Sequence, residues 1–216
     1  MPRIHRVQQG ESLISIAAQY GFRASALRDA SENATLKRQR TDLNALLPGD
    51  ELVIPDARTK ELPAVAGQVN TFVRHGVPAV FRMRVLNSLG KPRRHQTYRL
   101  VVGGQTMRGI TNERGALAER VPADATYGDL IIGPDSFQLR LQFGHLDPIE
   151  TLSGVRGRLR NLGFDCGQEQ GEDLGERTKA ALRQFQKRHG LPEIGQPTDV
   201  TRKAIAEMHD RPSKVT

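Results

Sequence analysis

The chain has 216 residues, of which 37% are hydrophobic and 5% aromatic, with 21 glycines, 12 prolines, no tryptophan and a single cysteine. That length suits one large domain or two to three small ones, and the scarcity of aromatic side chains favours several small cores over one large one. The lone Cys166 excludes an intrachain disulfide and a thiolate zinc cluster, and no apolar run approaches the ~18 residues of a membrane span. The formal charge of +8 is uneven: residues 1–57 hold seven basic and seven acidic side chains, residues 58–146 hold 13 against 6, and residues 147–216 hold 12 against 11. A basic middle segment favours a polyanionic partner, or else is a solvated strand face rich in arginine.

In chain order, residues 4–55 read strand, helix, helix, strand. Ile4 to Val7 is a short extended entry, Gly10 turns, and Ser12 is placed to cap a helix. Leu13, Ile16, Ala17 and Tyr20 fall on one helical face, which Gly21 ends. A second helix is predicted around Ser25 to Ser31, then a Pro48-Gly49-Asp50 turn and a return strand through Leu52 and Ile54. Residues 58–67 lack periodicity and read as a linker.

From 68 to 146 the pattern alternates at period two. Phe81, Met83 and Val85 oppose Arg82 and Arg84, and Phe137, Leu139, Leu141 and Phe143 oppose Gln138, Arg140 and Gln142. Turn signals recur at 89–92, 103–104, 112–115 and 133–134, so an antiparallel sandwich or barrel is expected. After Asp147-Pro148 the period returns to 3.6. Stripes through Val155, Leu159 and Leu162, then Ala181, Leu182 and Phe185, then Thr201, Ala204, Ile205 and Met208 predict a three-helix bundle over 147–211, with a tail at 212–216. The whole is a multidomain α+β chain.

The stretch His5-Arg6-Val7, Gly10-Glu11-Ser12-Leu13, Ile16-Ala17, Tyr20-Gly21, Leu27 and Leu47-Pro48-Gly49-Asp50 through Leu52 to Pro55 resembles a LysM domain, a βααβ module that binds N-acetylglucosamine polymers. The resemblance implies a sugar groove formed by Gly10, Glu11, Ser12 and Leu13 with Asn44, Leu46, Leu47 and Pro48 opposite. Backbone amides there can read acetamido groups, and leucines can cover ring faces. Ser12 can equally serve as a helix cap and Leu13 as core. One departure stands out: NATLKRQRTDLNA, residues 33–45, is longer than the family's connection and is placed to reshape or cover the groove. Either Asn33 or Asn44 fills the family's asparagine position.

At the other end, Val155, Leu159, Asn161 to Phe164, Gly167, Gly171, Leu174-Gly175, Thr178, Ala181-Leu182, Phe185-Gln186, Gly190-Leu191, Gly195 and Thr201 resemble the three-helix peptidoglycan-binding domain attached to many wall hydrolases. Here Arg156 and Gln170 depart from the usual Gln and Asp. Most of the motif is core; Asn161 and Gln186 are the candidate ligand contacts. The order of parts resembles accessory proteins encoded beside the spike of contractile injection systems, especially type VI secretion.

No catalytic constellation emerges. Cys166 has no histidine near it, the histidines at 5, 75, 95, 145, 189 and 209 are scattered, and His145 with Asp147 stands alone at a junction. The middle carboxylates, Glu61, Glu113, Glu119, Asp124, Asp129 and Asp135, sit mostly in turns and suggest no glycosidase pair. Nucleic acid is not expected, since the basic strands carry no stacking platform. The expectation is therefore a non-enzymatic chain without metal or cofactor. It binds peptidoglycan or a chitin-like oligosaccharide at both ends, with spike or effector proteins as alternative partners of the basic middle. The N-terminus MPRIHRVQQG has no apolar stretch of a secretory signal. Synthesis in the cytoplasm is expected, with action at the wall after non-classical export or within an injection particle.

Overall fold

The computed structural model describes residues 2–56 and 79–210, together with Gly67 and Val69. Of the predicted linker only Gly67 falls among them, and the 212–216 tail lies outside them. The described residues form three bodies of mixed α and β structure, each around its own apolar cluster.

The first body runs β1 (Arg3–Arg6), α1 (Leu13–Gln19), α2 (Ala24–Arg28), a 3₁₀ turn at Ser31–Asn33 leading into α3 (Ala34–Gln39), and β2 (Glu51–Ile54). β1 and β2 pair antiparallel, with Ile4 opposite Val53. Leu13, Ile16, Leu27 and Leu52 are fully buried between strands and helices. Ser12 caps α1 as the sequence predicts, accepting from Ser15 N–H at 3.3 Å while Ser15 Oγ accepts from Ser12 N–H at 2.8 Å. The long connection becomes the extra helix α3, anchored by buried Leu36.

Asn33, not Asn44, is the buried asparagine. Its amide donates to Leu27 O at 2.9 Å and Val53 O at 2.8 Å, and its oxygen accepts Val53 N–H at 2.7 Å. Opposite Ile4 in the ladder, Val53 directs its backbone groups away from β1, and the Asn33 amide answers both as a neighbouring strand would.

The middle body has β3 (Ala79–Arg84), β4 (Thr97–Val102), β5 (Gln105–Ile110), β6 (Ala116–Val121), β7 (Tyr127–Ile132) and β8 (Phe137–Gln142). A four-stranded sheet, β5-β4-β7-β8, faces the two-stranded sheet β3-β6 across a core of Val85, Leu100, Val102, Leu117, Leu130 and Ile132. Gly103 and Gly104, both at positive φ, close the two-residue β4–β5 hairpin. The alternation on β3 falls as predicted, with Phe81 and Met83 inward and Arg82 and Arg84 outward. Phe137 departs from its predicted stripe: it sits at the rim, 42% exposed, under the Arg93 guanidinium.

The third body comprises α4 (Leu152–Asn161), α5 (Glu176–Arg188) and α6 (Asp199–Asp210) around Val155, Leu159, Leu182, Phe185 and Ile205. Met208, expected on the third stripe, is exposed. Two arginines of α4 are buried instead. Arg156 donates to the carbonyls of Gly171 and Asp173, tying down the α4–α5 loop. Arg158 holds Asp210 at 3.0 Å and Asp147 O at 2.8 Å, fastening α6 and the chain entering α4.

Candidate functional site

The β1–α1 loop and the segment before β2 are bound to each other. Leu13 N–H donates to Leu43 O at 3.2 Å. Asp42 Oδ1 accepts both the backbone and side-chain N–H of Asn44, at 2.9 and 3.0 Å, giving this segment a local turn. Below it, Arg40 makes two bonds to Asp50, at 2.9 and 2.7 Å, and Asp50 also accepts Leu47 N–H at 3.0 Å. Burial alone pulls the Asp50 carboxyl upward, but the Arg40 and Leu47 bonds prevail and hold it below the usual aspartate range.

The eight predicted groove residues divide accordingly. Leu13 and Leu46 are in the core, and Leu47 is half-buried with its N–H committed to Asp50. Glu11 turns toward His5, accepting at 2.7 Å, while the other His5 nitrogen meets Tyr20 Oη at 3.1 Å. Pro48 is exposed at the turn. Gly10, Ser12 and Asn44 come together on one cavity of about 360 Å³.

That cavity lies where the three bodies meet. Ser12, Asp42 and Asn44 form its N-terminal wall; Val80, Arg82 and Phe143 come from the middle body; His209 and Asp210 close it from the end of α6. α3 takes no part in its lining. The junction is tight, because a Cβ on Gly144 would overlap the Gly10 carbonyl and the His145 ring stands over Gly10. Thr41 N–H also donates to Glu150 at 3.0 Å, and Thr41 Oγ1 reaches the same oxygen.

In the third body, Asn161 Nδ2 donates to His209 Nε2 at 2.9 Å, and His209 Nδ1 meets Asp210 at 2.7 Å. Burial raises the Asp210 carboxyl, but His209 and Arg158 outweigh it and the net shift is downward. Gln186 is fully buried: its amide donates to Gln196 O and Thr201 Oγ1, and its oxygen accepts Gly195 N–H at 2.9 Å. Both amide hydrogens are thus used internally. Cys166 is buried, and desolvation pushes its thiol upward. Val80, His209 and Asp210 carried no local sequence signal, since their meeting with Ser12 and Asn44 is purely tertiary. Among the described residues there is no cluster of three or more metal-ligating side chains, and no helix is long and apolar enough to cross a membrane.

The two end bodies are small, each with its own apolar core. Residues 5–55 match the family model of the LysM domain, and residues 153–205 match that of the peptidoglycan-binding domain. The chain therefore carries two cell-wall-binding domains, one at each end. No curated protein and no solved structure matches it.

Proposed function

We propose that the chain is a non-catalytic, bivalent binder of bacterial peptidoglycan, acting at the cell wall. The observation that carries this is the presence of two wall-binding domains of different families on one chain. Each has a separate apolar core. Two weak sites tethered on one polymer gain about 10²–10⁴ in avidity when both engage. In the N-terminal module Gly10, Ser12, Asn44 and Pro48 are the residues with surface to offer. In the C-terminal module Asn161 is the better candidate of the two, since Gln186 is spent on its own fold.

Sedimentation with purified sacculi tests the proposal. The full chain is expected to pellet, while chains lacking either 1–55 or 153–210 lose most retention. Equal retention of either shortened chain would remove bivalency, and no retention of the full chain would remove the whole reading.

A second reading has its own support. Arg82 and Arg84 on β3, with Arg120 on β6, are outward and make no ion pair among the described residues. That face suits an acidic protein surface, which would let the chain serve as an adaptor in a type VI or phage-tail-like particle. Salt-sensitive capture of a spike protein by the wild type, lost on Arg82→Glu with Arg120→Glu, is the expected result.

A further inference from the structure

We propose that the outer face of the sheet β5-β4-β7-β8 is a third wall contact, in which Arg99 and Arg108, directly opposite each other, take the carboxylates of the peptides attached to the wall glycan. This rests on the wall-binding reading and deepens it, because it gives the middle body a charged part of the same polymer to hold.

The first ground is an unanswered pair of charges. Leu100 and Leu130 face the core, so Arg99, Val101, Asp129 and Ile131 share the opposite face with Arg108 and Arg140. Like charges directly opposite on antiparallel strands destabilise a sheet. Arg140 is answered, by Asp129 at 3.3 Å and by the Tyr127 ring at 5.3 Å. Arg99 and Arg108 are exposed and make no ion pair among the described residues. The residues outside that set hold Arg58, Lys60, Arg74, Arg211 and Lys214 against Glu61 alone, so they bring almost no counter-charge.

The second ground is chemistry. A guanidinium fork matches a carboxylate through two parallel hydrogen bonds, and an anion set between two such forks removes their repulsion. A wall glycan with its peptides carries its negative charge as carboxylates. Val101 and Ile131 stand half-buried beside the pair and offer apolar surface to the carbon chains that bear them.

The third ground is continuity. Tyr127, at the end of this face, meets the His145 ring at 5.9 Å between centres, and His145 stands against Gly10 of the N-terminal module. Ile131, opposite Arg99, lies about 13 Å along β7 from Tyr127, at ~3.3 Å per residue. A glycan held at the β1–α1 loop therefore has an adjoining surface that leads to the arginine pair. Arg82 and Arg84 lie on the other sheet, so this contact is separate from the face that suits an acidic protein.

The test uses the full chain, with immobilised sacculi freed of other attached polymers and with immobilised glycan strands from which an amidase has cut the peptides. Arg99→Gln with Arg108→Gln is expected to weaken binding to sacculi by about tenfold, the order of one charge-assisted hydrogen bond, and to leave binding to the bare strands unchanged. Lys91→Gln with Arg114→Gln removes the same charge from exposed turns of the same body, and is expected to change sacculus binding by less than about twofold. The Arg99 and Arg108 variant should melt no lower than the wild type, because the opposed charges are gone. Unchanged sacculus binding, an equal loss on the bare strands, an equal loss in the turn variant, or a lower melting temperature overturns the proposal and leaves the wall-binding reading standing. Absence of binding to sacculi by the wild type is the separate result that removes the wall-binding reading itself, and this contact with it.

Discussion

Asn33→Ala is expected to loosen the N-terminal module specifically. Alanine removes two donated bonds and one accepted bond, at 2.9, 2.8 and 2.7 Å, all to backbone groups, of which Leu27 O is buried and the Val53 groups are partly so. Each buried backbone group left unpaired costs about 1–3 kcal/mol, and some of that is recovered as the loop relaxes, so a net loss of about 2–4 kcal/mol is reasonable. A module of this size, at roughly 0.05–0.15 kcal/mol per residue, has only about 3–8 kcal/mol to lose. The loss corresponds to about a 30- to 700-fold rise in local opening, at about 1.4 kcal/mol per factor of ten. Hydrogen exchange resolved by residue is the right assay, because the chain has no tryptophan to report on one module alone. The amides of Ile16, Leu52 and Val53 are expected to lose protection by that factor, while those of Leu159 and Phe185 keep theirs. A change below about threefold at Leu52, or an equal change in the third body, would show that Asn33 does not carry the strand.

Three further outcomes follow from the same geometry. Asp50 ionises below the usual aspartate range in the folded chain, so its contribution is complete above about pH 4 and fades as the pH falls through its native value; the acid limb of the N-terminal module's melting curve should flatten in Asp50→Asn, with a loss of about 1–3 kcal/mol at neutral pH. Gln186→Leu strands Gly195 N–H and the Gln196 carbonyl, and should lower the third body's stability by about 2–4 kcal/mol while leaving sacculus retention per folded molecule unchanged; a drop in retention at full stability would make Gln186 a ligand contact. Gly144→Ala places a methyl group against the Gly10 carbonyl at a φ of 73°, so the β1–α1 loop should part from the middle body, read as faster exchange at Glu11 and Leu13 with the exchange of Leu52 unchanged.

The two ends were legible because their signals are local. Gly10, Ser12 and the 3.6 periodicity of Leu13, Ile16 and Ala17 define α1 within ten residues, and the turn at Pro48-Gly49-Asp50 places β2. The period-two alternation of Phe81 and Met83 against Arg82 and Arg84 likewise gave an antiparallel body in the middle. It could not say that β3 pairs with β6 while β4 pairs with β5 and β7, because a strand's partner is chosen by which apolar faces close a core, and many pairings satisfy the same alternation. Nor does helical spacing reveal that Arg156 and Arg158 on α4 are buried, because the carbonyls of the following loop and Asp210 reach them only in the folded chain.

Local pattern also could not choose between Asn33 and Asn44, since the choice depends on which one meets the unpaired edge of Val53, 20 residues downstream. The candidate site lies at the far end of this scale. Ser12, Val80 and His209 are separated by well over 60 residues at each step, and nothing in the residues around them announces that they share a cavity. Elements arise from interactions within a few residues and so are written in the residues themselves. A site between bodies arises from how three finished surfaces fit, and only the folded arrangement contains that fit.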